Sequence, residues 1–116
     1  MYLTLLFGRD TKYLIDLAAE RLLVAERGME QIAVEIKSFT TNSRIHEFHS
    51  ALGQYLSYQT ALHVRLPTYR LYLAIPEDVY EDFLTRDIVK LILEQHHVNI
   101  LAYNTIKEVI TYEKSY

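Results

Sequence analysis

The chain has no cysteine. That excludes disulfides, zinc-thiolate centres and thiol nucleophiles, and it fits a reducing compartment. It lacks a basic excess as well: 12 lysines and arginines stand against 15 aspartates and glutamates, a formal charge of −3. Proteins that hold nucleic acid through charge alone usually carry a basic surface, so any such contact here must be local, metal-assisted or supplied by a partner. No stretch approaches the roughly 20 uninterrupted apolar residues of a membrane span. The opening Met1-Tyr-Leu-Thr-Leu-Leu-Phe7 lacks a basic segment and runs straight into a polar turn, so it reads as a strand and not as a signal peptide. A soluble protein of the cytoplasm is expected. Nucleophilic-serine motifs, phosphate-binding glycine loops and dinucleotide fingerprints are missing too, as are internal repeats, linkers and low-complexity tracts.

What is present is an ordinary globular composition, half apolar and about a quarter charged, in 116 residues. That is the size of one domain, residues 1–116, burying roughly two-thirds of its unfolded surface. Tyr2 to Phe7 and Lys12 to Ala18 read as strands around the turn Gly8-Arg-Asp10. Glu20 to Arg27 is ambiguous, since Ala, Leu and Glu favour helix, but Arg27-Gly28-Met29 before the strong strand Gln31 to Ser38 favours a hairpin and extended structure. Ser43 can cap a helix from about Arg44 to His63, with Phe48, Ala51, Leu52, Tyr55 and Leu62 recurring at helical spacing. Pro67 marks its exit, Tyr69 to Ile75 is a buried-looking strand, and Pro76 suits the first turn of a helix over Glu77 to Phe83. Thr85 is placed to cap a further helix whose Ile88, Leu91, Ile92 and Gln95 share a side. Val98 to Tyr103 and Ile106 to Tyr112, joined at Asn104-Thr105, close the chain as a hairpin. The order βββ, α, β, αα, ββ is that of an α/β or α+β sheet with helices against it.

The chemistry concentrates in Glu35-Ile36-Lys37, inside Gln31-Ile-Ala-Val-Glu-Ile-Lys-Ser38, preceded by Asp16 in Tyr13-Leu-Ile-Asp-Leu-Ala18. Side chains alternate along a strand, so Glu35 and Lys37 share one face while Ile32, Val34 and Ile36 point to the other. Two acids and a lysine on rigid elements are what a metal-dependent phosphodiester cutter needs. Glu-x-Lys on an edge strand is, from spacing alone, most often a solvated face. Glu20 is a substitute ligand or a surface acid, and Asp10 belongs to the turn.

Asp16, Glu35-x-Lys37 at a strand end and then a helix carrying Gln54-x-x-x-Tyr58 resemble the PD-(D/E)xK restriction-endonuclease-like superfamily. More closely, Ile15-Asp-Leu-Ala-Ala-Glu20, Ile32-Ala-Val-Glu-Ile-Lys-Ser-Phe39, Phe48-His-x-Ala-Leu-Gly-Gln54 and Leu71-Tyr-Leu-Ala-Ile-Pro76 are similar to the XisH family of fdxN element excision controlling factors. The four blocks stand in order and cover nearly the whole chain from about Tyr2. The resemblance implies a restriction-endonuclease-like mixed β-sheet flanked by helices. It also implies a Mg²⁺ or Mn²⁺ ion held by Asp16, Glu35 and the carbonyl of Ile36, and a catalytic set of Asp16, Glu35, Lys37, Gln54 and Tyr58. DNA and the companion excision factor XisI are the implied partners. One departure stands out: the family's first helix has no counterpart before Tyr2, which would leave one sheet face uncovered and the site one ligand short.

The five histidines raise zinc only weakly, because His46 and His49 lack an evident third ligand and His96-His97 face different directions. His49 more plausibly bonds within the fold or borders the site. Ten tyrosines exceed what so small a core needs, which suits a partner-facing surface and a homodimer. Three readings follow: a metal-dependent nuclease, a non-catalytic regulatory protein keeping the nuclease fold, or a structural subunit.

Overall fold

A computed structural model of the protein describes residues 12–17, 20–40 and 42–116, with side chains from Leu23 onward. The expected strand Tyr2 to Phe7 and the turn Gly8-Arg-Asp10 lie outside the described residues. Three antiparallel or hairpin-linked strands come first: β1 (Lys12–Leu17), β2 (Glu20–Arg27) and β3 (Glu30–Ile36). The ambiguous Glu20–Arg27 segment is therefore a strand. Gly28 closes its hairpin at φ 63°, a left-handed conformation that glycine adopts without a Cβ clash.

Helix α1 (Arg44–Arg65) follows, two residues longer than its expected end at His63. Ser43 caps it as its sequence suggests, its hydroxyl accepting from the His46 N–H at 3.3 Å. Phe48, Ala51, Tyr55, Tyr58 and Leu62 form its buried stripe. Strand β4 (Arg70–Pro76) then pairs with β3 in parallel, an arrangement that needs a crossover such as α1. A short α2 (Glu77–Val79) runs into a π-helical turn (Tyr80–Leu84), and α3 (Asp87–Gln95) leads to β5 (Asn99–Asn104), parallel to β4, and β6 (Val109–Ser115), antiparallel to β5. The six strands lie in chain order, β1-β2-β3-β4-β5-β6. The sheet is mixed, with a parallel centre and antiparallel flanks, and the whole is the α+β fold expected.

Thr85 and the last hairpin differ from the expectation, and packing settles which residues of α3 are buried. Thr85 does not cap α3; its hydroxyl donates to the Glu81 carbonyl at 2.8 Å, closing the π-helical turn, and Arg86 takes the cap position without a side-chain bond. On α3, Ile88 is 64% and Leu91 59% exposed, Ile92 packs partly against the core, and Val89 and Leu93 are buried. The last hairpin turns more widely than Asn104-Thr105. Asn104 Oδ1 accepts from the N–H groups of Ile106 and Lys107, and β6 begins only at Val109.

The core has two layers. On one face Val24, Ala33, Leu71, Leu73, Ile75 and Ile100 pack under Phe48, Tyr55, Leu62, Phe83 and Leu93 of the helices. On the other, Ile32, Val34, Tyr72, Ala74, Leu101 and Tyr103 form a second cluster, each at most 3% exposed. The expectation of an uncovered sheet face is thus corrected: these side chains are shielded within the single chain. No helix among the described residues is long and apolar enough to cross a membrane.

Candidate functional site

Strand parity decides where the candidate residues stand. Glu35 alternates with Val34 and Ile36, which belong to the second cluster, so its side chain follows Ala33 onto the helix-covered face. There it is 5% exposed, the one buried charged side chain among the described residues, and both its carboxylate oxygens are shielded from solvent. A carboxylate in such a low-dielectric place interacts strongly with any cation that reaches it. Its charge is also felt by Tyr55, whose phenol is pushed up from its ordinary value by burial first and by repulsion from Tyr72 and Glu35 thereafter; the Asn99 N–H and Arg70 act the other way.

Lys37 stands just beyond the last residue of β3, yet the ladder reaches it: its N–H donates to the Ala74 carbonyl at 2.9 Å. Its own carbonyl accepts from the Tyr103 hydroxyl at 3.5 Å. The side chain is half-buried. Among the described residues it forms no ion pair, with Glu35 or any other carboxylate. Two residues on, buried Phe39 takes φ 55°, a conformation a bulky residue seldom adopts, as the chain swings from β3 toward α1. Such strain gathers at sites where function fixes the backbone.

Gln54 and Tyr58 project from α1, whose buried stripe covers the same sheet face as Glu35; Tyr58 is buried and Gln54 half-buried. Among the described residues no hydrogen bond joins Gln54 to Lys37, so the structure brings the helix over the site without locking that pair. Ile36 is partly buried against the second cluster, and its place in the ladder is opposite Ala74.

Asp16 and Glu20 have described backbones, but their side chains lie outside the described residues. In the ladder Asp16 stands opposite Arg21, and Leu17 opposite Glu20. Since Val24 pairs with Ala33, the position of Glu20, four residues before Val24, has the parity of Glu35, and that of Asp16 has the parity of Val34. Among the described residues no three histidines or carboxylates gather closely enough to hold an ion. His46 and His49 are exposed on α1.

Glu35 and Lys37 lie at the carboxyl end of β3, beside the carboxyl half of the parallel β4. Open α/β sheets bind ligands beyond the carboxyl ends of such strands. Oxygen donors there suit a hard divalent cation.

The model of the XisH family, "XisH protein", matches residues 3–111. An XisH family protein from Nostoc punctiforme PCC 73102 has a similar crystal structure, with TM-score 0.83 and 35% identity, covering 97% of this chain and 94% of that one. A fdxN element excision controlling factor protein from Anabaena variabilis is likewise similar, with TM-score 0.78 and 39% identity over 87% of this chain and 81% of that one. No curated protein matches significantly. With a family model spanning nearly its whole length and a relative of 35% identity sharing its fold, the chain belongs to the XisH family.

Proposed function

We propose that this chain is a nuclease-like factor controlling excision of a DNA element, and that it hydrolyses a phosphodiester with the help of Mg²⁺ or Mn²⁺. The observation that carries this reading is the buried Glu35 carboxylate two residues from a lysine that no described carboxylate neutralises, both at the carboxyl end of β3. Glu35, the carbonyl of Ile36, and Asp16 or Glu20 would hold the ion. Bound there, it would supply Lewis acidity and lower the pKa of a coordinated water. Lys37 donates to the attacking water or to the charge growing on the phosphoryl oxygens. Gln54 and Tyr58, one turn apart on α1, orient Lys37 or a phosphate oxygen.

Ion binding to the folded state alone raises its stability by mass action, and it relieves repulsion between close carboxylates. Melting midpoints should rise saturably with millimolar Mn²⁺ or Mg²⁺, and Glu35→Ala should abolish the rise. Asp16→Ala and Glu20→Ala, made separately, identify the second ligand: the ladder parity favours Glu20 and the family motif favours Asp16. A flat midpoint in folded wild-type protein would remove the metal from this reading.

A second reading is a non-catalytic protein that keeps the nuclease fold and acts with a companion such as XisI. The exposed Ile88 and Leu91 on α3, with half-exposed Tyr112 on the outer strand, favour contact with another chain. A homodimer is expected in light scattering at about 50 μM, above the micromolar dissociation constants of ordinary transient interfaces. A monodisperse monomer at that concentration counts against it.

A further inference from the structure

A concavity of about 220 Å³ opens at the amino end of β4, distinct from the Glu35 site. Arg70 precedes Leu73, the ladder partner of Glu35, by three residues, which is roughly 10 Å along the strand. Gln59 and His63 in the second half of α1, Tyr69 and Arg70 at the entry to β4, and Asn99 at the start of β5 face it over a floor formed by Tyr55.

That floor is fixed. The fully buried Tyr55 donates its hydroxyl hydrogen to the Leu71 carbonyl at 3.2 Å and accepts from the Asn99 N–H at 3.0 Å, while Asn99 Nδ2 donates to the same carbonyl at 2.9 Å. Its polar groups are spent on one another, so a ligand must be recognised by the rim.

The rim is rich in donors. In a chain of net charge −3, none of the described residues lining this concavity is Asp or Glu. Among the described residues Arg70 donates to neutral acceptors, Asn99 Oδ1 and Ser115 Oγ, and its guanidinium lies over the Tyr72 ring at 5.7 Å. Arg27 and Arg44 differ: Arg27 pairs with Glu30 and Glu113, and Arg44 with Asp78 and Asp82. A positive charge held by neutral groups keeps its field for a ligand, and a guanidinium fork matches a carboxylate or phosphate. His63 is exposed at the same rim and brings a second N–H donor. The space is wide enough for a small oxyanion.

We propose that the Arg70–His63 concavity is a binding site for a small oxyanion, a phosphate or a carboxylate. The test is calorimetric titration of wild-type protein with inorganic phosphate and with succinate, at ionic strength held constant with chloride. Saturable binding of either is expected, and whichever binds identifies the anion class. Arg70→Gln should weaken it at least about tenfold, the scale of losing a charged hydrogen-bond donor, and His63→Gln by a few-fold. If neither anion saturates, or if folded Arg70→Gln binds as tightly as wild type, the proposal fails. Arg70 also ties Asn99 to Ser115; should Arg70→Gln not fold, a Gln59→Ala/His63→Gln double variant on the surface decides, and unchanged affinity in it overturns the site. The Glu35→Ala variant should still bind the anion saturably, at least as tightly as wild type because a nearby negative charge is removed, which separates this result from the fate of the metal-site reading.

Discussion

Lys37→Ala is expected to lower metal-dependent DNA nicking by about 100-fold or more while leaving folding and metal binding largely intact. The side chain is half-buried and has no described ion-pair partner, so its removal strands no carboxylate. Its structural share is in the backbone, through the bonds to Ala74 and Tyr103, and alanine keeps those. Stability should therefore stay within about 0.5 kcal/mol of wild type, the usual range for substitutions away from special features. The measurement is paired, a denaturant midpoint and a nicking rate on the same preparation. A large loss of stability would instead assign Lys37 a structural role, because breaking a well-buried pair can cost several kcal/mol.

Phe48→Ala should cost about 3–5 kcal/mol in denaturant unfolding, the range for emptying a buried aromatic site. Phe48 is fully buried where α1 meets the π-helical turn, its ring centroid 5.5 Å from that of Phe83 at 60°. Edge-tilted aromatic pairs of this kind add to the energy of the area they bury. Alanine would leave a cavity between two elements otherwise joined by the exposed Arg44 pairs with Asp78 and Asp82. Against a total of roughly 5–15 kcal/mol for a domain, the loss is a large fraction. A change below about 1 kcal/mol would show that the helical layer is repacked in solution.

Much of this fold was legible because its signals are local. Ser43 before an amphipathic run and the Gly28 turn between two strand patterns each fixed an element without long-range help. The packed face of α3 was not legible because apolar residues occupy both of its sides: Ile88 and Leu91 compete with Val89 and Leu93, and only packing against the sheet chooses. Thr85 looked like a cap, since its hydroxyl is as able to close the turn behind it as to open the helix ahead. The acid-x-lysine motif was visible in the sequence, but the burial of Glu35 was not, because it depends on α1 lying across the strand. The Arg70 concavity gave no sequence signal at all. Its residues come from α1, β4 and β5 and meet only through the parallel register of Leu73 with Ile100.

The proposed function puts a metal-dependent phosphodiester-cutting centre at Glu35 and Lys37. The most direct measurement incubates the protein with supercoiled, linear and branched DNA in Mg²⁺ or Mn²⁺, beside an Asp16→Ala/Glu35→Ala control purified identically. The expected result is nicking or cutting of at least one substrate by wild type, abolished by chelation of the ion and absent from the control. No cleavage of any substrate by folded, metal-binding wild-type protein, or equal cleavage by the control, would contradict it and leave the interaction protein as the reading of this chain.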